Sequence, residues 1–128
     1  MNKPVECPFC SLPKRRILFA CGRALAFRDA FPISPGHTLV IPFRHVKSIF
    51  ELARGERDDL FQALNKARDD LISDLKPDGF NVGINDGLPA GQTVMHLHVH
   101  LIPRFEGDKV DPRGGVRWIF PEKAKYWP

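Results

Sequence analysis

The stretch MHLHVHLIPR, residues 95–104, sets His96, His98 and His100 at every second position with Leu97, Val99 and Leu101 around them. In a strand, residues two apart face the same way, about 6–7 Å apart, so the imidazoles would line one face and the aliphatic side chains the other. Such a row can bind a metal, sit solvated, or do nucleophilic and proton-transfer chemistry. Consecutive same-face positions aim poorly at one catalytic zinc, whose histidines come from more than one strand. A packed or solvated role suits one histidine better than a run of three. Attack on phosphorus suits the row best: a neutral imidazole is nucleophilic near pH 7, and a donor beside it neutralises charge growing on phosphate oxygens.

Cys7 and Cys10, in CPFC, have the spacing of a metal or redox pair, yet they supply only two of the four ligands a structural zinc needs. Two reduced thiols beside Phe9 are the plain alternative. A thioredoxin-like pair lacks the following helix and βαβ setting. With Cys21 the count is three, odd, which excludes a disulfide framework. The net charge of +4 is gathered in small clusters, Lys14-Arg15-Arg16 and Arg113/Arg117, which favour anions including phosphates without arguing for nucleic acid. A chain of 128 residues suits one core, so a single domain over 1–128 is expected. No apolar run nears the roughly 20 residues of a membrane span, and MNKPVECPFCSLPKRR lacks the apolar centre of a signal peptide. A cytoplasmic protein without a membrane partner is the expectation.

Short elements must position these groups, because twelve prolines and ten glycines punctuate the chain. RILFACGRALAFRD reads as two strands turning at Cys21-Gly22-Arg23, and HTLVIPF as a third that Pro42 ends. Leu60, Leu64, Ala67, Leu71 and Leu75, with Phe61 and Ile72 widening the stripe, predict one long helix over Glu56–Leu75. A shorter helix is expected at Val46–Leu52. FNVGIND alternates Phe80, Val82 and Ile84 inward, and the loop DGLPAGQT leads into a last strand, VMHLHVHLIP. The tail 109–128 carries Trp118, Phe120, Tyr126 and Trp127, which are expected to dock on the domain or a partner subunit. The fold class is α+β.

HLHVHLIPR, together with GQTVM, NDG, PDGFNVGI and RDAFPISPGHTLVIPFRH in that spatial company, resembles the histidine triad (HIT) family over roughly residues 7 to 108. The resemblance implies about five antiparallel strands with one long and one short helix, and sheets joined across a homodimer. It implies a nucleotide hydrolase or transferase in which His98 attacks the α-phosphate and carries a nucleotidyl-histidine, with His100 donating to a phosphate oxygen or helping the leaving group. Gln92, Thr93 and backbone N–H groups around Gly91 would touch the phosphate, Asn85 would lie near it, Asp29 would bind the ribose hydroxyls, and His37 would support the triad. A structural zinc would be held by Cys7, Cys10, His45 and His96. Phe9, Leu12, Leu18 and Phe27 could form a base slot or belong to the core. Histidine at position 100, where the transferase branch resembles this motif with glutamine, points to hydrolysis of diadenosine polyphosphates or of nucleoside phosphoramidates. Arg113 and Arg117 are candidate counterions for a polyphosphate. A nucleotide-binding module without turnover is the rival class.

Overall fold

Apolar residues either side of Gly22 form an antiparallel hairpin, β1 (Ile17–Cys21) and β2 (Ala24–Arg28). The structure, a computed structural model, describes residues 7–128; the first six, part of the stretch read as leaderless, lie outside the described residues. From β2 the loop FPISPG turns the chain into β3 (Thr38–Pro42), antiparallel to β2 with Phe27 opposite Leu39. Gly36 makes the loop possible: its φ is +83°, and a Cβ there would stand 2.7–2.8 Å from methyl carbons of Leu75 and Leu71. His37 follows directly, the last residue before β3.

The helix α1 spans Arg54–Leu75, starting two residues before the periodic stripe because the Glu56 carboxylate accepts the Ala53 N–H at 2.9 Å. Leu60, Ala63, Ala67 and Leu71 are its buried residues, joining Ala24, Ala26, Val40, Leu97, Val99 and Leu101 in the main core. Leu75, expected in the stripe, and Phe61 and Ile72, expected to widen it, are instead exposed, while Ala63 takes an inner place. The expected short helix at 46–52 is one 3-10 turn, Ile49–Glu51.

Strand β4 (Gly79–Gly83) is the sheet's edge, and β5 (Val99–Arg104) lies between β3 and β4, so the antiparallel order is β1-β2-β3-β5-β4. One five-stranded antiparallel sheet with one main helix packed on it accords with the α+β expectation. At the edge Val82 is 53% exposed, against the expected inward alternation. The last strand also begins later than its pattern suggests. Pairing with β3 stops at Val40–Val99, near Pro42, which has no N–H to donate, and the Leu97 N–H turns to the Val46 carbonyl at 2.7 Å. The alternation survives: Leu97, Val99 and Leu101 face α1, and the three histidines the other side. On that side Leu25, Phe27, Leu39 and Ile41 form a second cluster beneath Phe9, Leu12 and Ile17. Among the described residues no helix is long and apolar enough to cross a membrane.

Candidate active site and metal centre

Three chemically identical side chains are separated by which ring nitrogen the backbone occupies. A carbonyl only accepts, so the 2.9 Å contact of His96 Nε2 with the Pro42 carbonyl puts the proton on Nε2 and leaves a lone pair on Nδ1. At His98 the order is reversed: Nδ1–H donates to the His96 carbonyl at 2.8 Å, and Nε2 keeps the lone pair. His100 is set through His37, whose Nδ1 accepts the Ile33 N–H at 3.2 Å and whose Nε2 therefore carries the proton. That N–H lies 3.0 Å from His100 Nδ1 and 3.3 Å from Asp29 Oδ2, so His100 accepts at Nδ1 and presents Nε2–H. Burial lowers the pKa of His37, His96 and His100, with the His98 charge adding to it at His100 and Asp29 opposing it at His37. All three are neutral rings near pH 7.

The lone pair of His96 points at Cys7 Sγ and Cys10 Sγ, 3.6 Å from each, and at His45 Nδ1, 3.3 Å away; Cys10 Sγ and His45 Nδ1 are 3.1 Å apart. Zinc bonds of about 2.3 Å to sulfur and 2.0–2.1 Å to nitrogen, at tetrahedral angles, separate S···N pairs by about 3.6 Å and N···N pairs by about 3.3 Å. Four ligand atoms within 4.8 Å of one another, with His96 oriented by the Pro42 carbonyl, fit a structural zinc. Asp29, His37 and His100 also converge, but the proton on His37 Nε2 explains their spacing as hydrogen bonding.

Asp29, Asn85, His37 and His100 line one cleft of about 730 Å³. Asp29 Oδ1 accepts the Phe31 N–H at 2.9 Å. Thr93 is exposed and its hydroxyl has no hydrogen bond among the described residues. The Gln92 side chain accepts from Gly87 N–H and donates to the carbonyls of Lys47 and Val94, bracing the loop. The Gly91 and Gln92 N–H groups likewise donate to Leu88 and Gly87 carbonyls within the loop's own turn. Arg113 pairs with Asp111 and stacks on Trp127, and Arg117 donates to the carbonyls of Ala124 and Lys123, so both hold the tail together. Phe27 is core, Leu18 is 46% exposed, and Phe9 lies edge-on to Phe27 and His98 at centroid distances of 5.3 and 5.2 Å. The backbone partners Ile33, Pro42 and the His96 carbonyl carried no sequence signal.

The HIT domain family model matches residues 13–107, and the chain belongs to the HIT family. Among its relatives is the asymmetrical bis(5'-nucleosyl)-tetraphosphatase of Schizosaccharomyces pombe, 40% identical over 73% of this chain but only 51% of the relative, so this chain spans about half its length. A HIT family protein from Bacillus anthracis superposes with a TM-score of 0.75 at 35% identity, covering 82% of this chain and 77% of the other. A zinc-bound histidine triad family protein from Mycobacterium smegmatis gives 0.74 at 31% identity, covering 83% and 80%.

Proposed function

We propose that the chain is a nucleotide hydrolase that cleaves a dinucleoside polyphosphate at the α-phosphate through a nucleotidyl-histidine on His98. The observation that carries this reading is the hydrogen bond from His98 Nδ1–H to the His96 carbonyl, which leaves the Nε2 lone pair for phosphorus. Attack forms the Nε2–P bond and breaks the bond from phosphorus to the leaving oxygen. His100 Nε2–H, oriented by His37, donates to a phosphate oxygen or the departing group. The ring becomes cationic at His98, and its bond to the His96 carbonyl strengthens as that charge appears. Water then attacks phosphorus, the Nε2–P bond breaks, and one water is consumed overall. Asp29, which lines the cleft with Asn85 and His100, would accept from the ribose hydroxyls, and Asn85 and Thr93 would contact the phosphate.

A zinc at Cys7, Cys10, His45 and His96 would tie the N-terminal segment and the loop after β3 to the start of the histidine row. With four protein ligands it is structural. The exposed Phe61, Ile72 and Leu75 on α1, and Val82 on the edge strand, suit burial by a second copy in a homodimer. The relative named as a tetraphosphatase favours phosphoanhydride over phosphoramidate substrates.

The test is a covalent one. After mixing with diadenosine tetraphosphate and quenching in denaturant at alkaline pH, mass spectrometry should find one adenylyl group on the peptide carrying His98, and none in His98→Ala. Tight binding of the nucleotide with no adduct and no turnover would make the protein a binding module instead.

A further inference from the structure

We propose that the C-terminal tail forms a subsite for the second nucleoside of a dinucleoside polyphosphate, the half that leaves when His98 is adenylylated; this rests on the hydrolase reading above. The tail lies beyond the residues that the family model matches, 13–107. It is nonetheless built onto the sheet. Gly114 and Gly115 have φ of +97° and +47°, and their turn is tight: a Cβ on Gly115 would stand 3.4 Å from Asn81 Nδ2 on β4, and one on Gly114 3.2 Å from Trp118 Nε1 and 3.3 Å from Trp127. Arg117 ties this turn to the buried Ala124, and Trp118 donates to the Arg113 carbonyl at 2.8 Å.

Having fixed the tail, these contacts do not bury its aliphatic side chains. Val116 and Ile119, each 69% exposed, form one wall of the same cleft whose floor holds His100 and Asn85, and Phe31 and Ile33, also exposed, line it too. Lys109 stands at the tail end with its Nζ 5.7 Å from the Trp118 ring centroid. A volume of about 730 Å³ lies in the upper part of the roughly 300–1,000 Å³ range for small-molecule sites. Apolar walls, a polar floor of Asn81, Asn85 and His100, and a cation near one end match a flat heterocycle joined to phosphates. An apolar protein face would strand that floor unpaired, which argues against a second copy as the occupant.

Val116→Ala and Ile119→Ala, single and combined, probe the wall at exposed positions where folding does not depend on it. The ratio of kcat/KM for diadenosine tetraphosphate to that for adenosine 5'-tetraphosphate, which lacks the second nucleoside, should fall about tenfold in the double variant as apolar contact is lost. Melting temperature and sedimentation should stay at wild-type values. An unchanged ratio with both substrates still cleaved would refute the subsite and leave the hydrolase reading standing. Altered sedimentation would assign the wall to a second copy and overturn the proposal. If wild-type protein neither cleaves nor, by calorimetry, binds either compound, the hydrolase reading fails and the subsite with it.

Discussion

His37 makes no contact with phosphorus in the mechanism above, yet its removal should slow the reaction measurably. The ring is 3% exposed and both nitrogens are engaged: Nδ1 accepts from Ile33 N–H, and Nε2–H is shared between His100 Nδ1 and Asp29. In His37→Ala the Ile33 N–H loses its acceptor, which costs about 1–3 kcal/mol of stability. His100 loses the donor that selects its tautomer, and an interaction of about 1–1.5 kcal/mol removed from the transition state lowers kcat about five- to twelvefold. His37→Gln separates the two losses, since the glutamine Nε2 amide reaches the same place as the imidazole Nε2–H while leaving Ile33 without its partner. Steady-state kcat on diadenosine tetraphosphate and thermal melting, measured on both variants, should show glutamine recovering rate but not stability. If kcat in His37→Ala stays within twofold of wild type, or glutamine recovers none of it, His37 does not orient His100.

Metal analysis of protein purified without chelator should find about one zinc per chain, and Cys7→Ala should lose it and melt at lower temperature; metal-free wild-type protein would refute the four-ligand assignment. Because burial lowers the folded pKa of His37 and His100, the unfolded chain binds more protons below its own value near 6.5. Their contribution to stability is therefore full above pH 6.5 and declines as pH falls from there toward the lowered values. Urea midpoints measured from pH 7.5 to 5 should fall, and the fall should shrink in His37→Ala. Gln92→Glu keeps the acceptor for Gly87 N–H but sets a carboxylate against the Lys47 and Val94 carbonyls, so the melting temperature should drop. Loss of activity at an unchanged melting temperature would instead place Gln92 on the phosphate.

The face of each residue in the histidine row was legible because alternation is a property of extended backbone and does not need the ladder. Leu97, Val99 and Leu101 reach the helix although hydrogen-bonded pairing begins only at Val99. The spacing of CPFC likewise announced a ligand pair, and the resemblance supplied His45 and His96 as its complement. What eluded the reading involved partners that no hydrophobic period or motif marks. Arg113 and Arg117 look like free cations until Asp111, Trp127 and the carbonyls of Lys123 and Ala124 are in place. The Gln92 side chain is hydrogen-bonded to the turn at 87–92 and to the Lys47 carbonyl, contacts its place just before the histidine row did not announce. Helix periodicity marked an apolar stripe wider than one sheet can cover, so Phe61, Ile72 and Leu75 fell outside the core while Ala63, small enough to sit close to the strands, fell within it.

The division of labour among the histidines depends on a residue that does no chemistry. Pro42 pairs with Ala24 on one side, but lacking an N–H it cannot extend the ladder toward β5, and the chain from His96 to His98 stands off from β3. The Pro42 carbonyl is thereby released for a side chain. The Pro42 carbonyl takes the His96 proton on Nε2, and the His96 carbonyl takes the His98 proton on Nδ1. Had the ladder continued, the Pro42 carbonyl would have accepted the Leu97 N–H, which instead donates to the Val46 carbonyl, and nothing would have held the His96 proton on Nε2. Neighbouring imidazoles therefore present opposite nitrogens, Nδ1 of His96 toward the cysteines and Nε2 of His98 with its lone pair, because each ring is held at its other nitrogen by one backbone carbonyl.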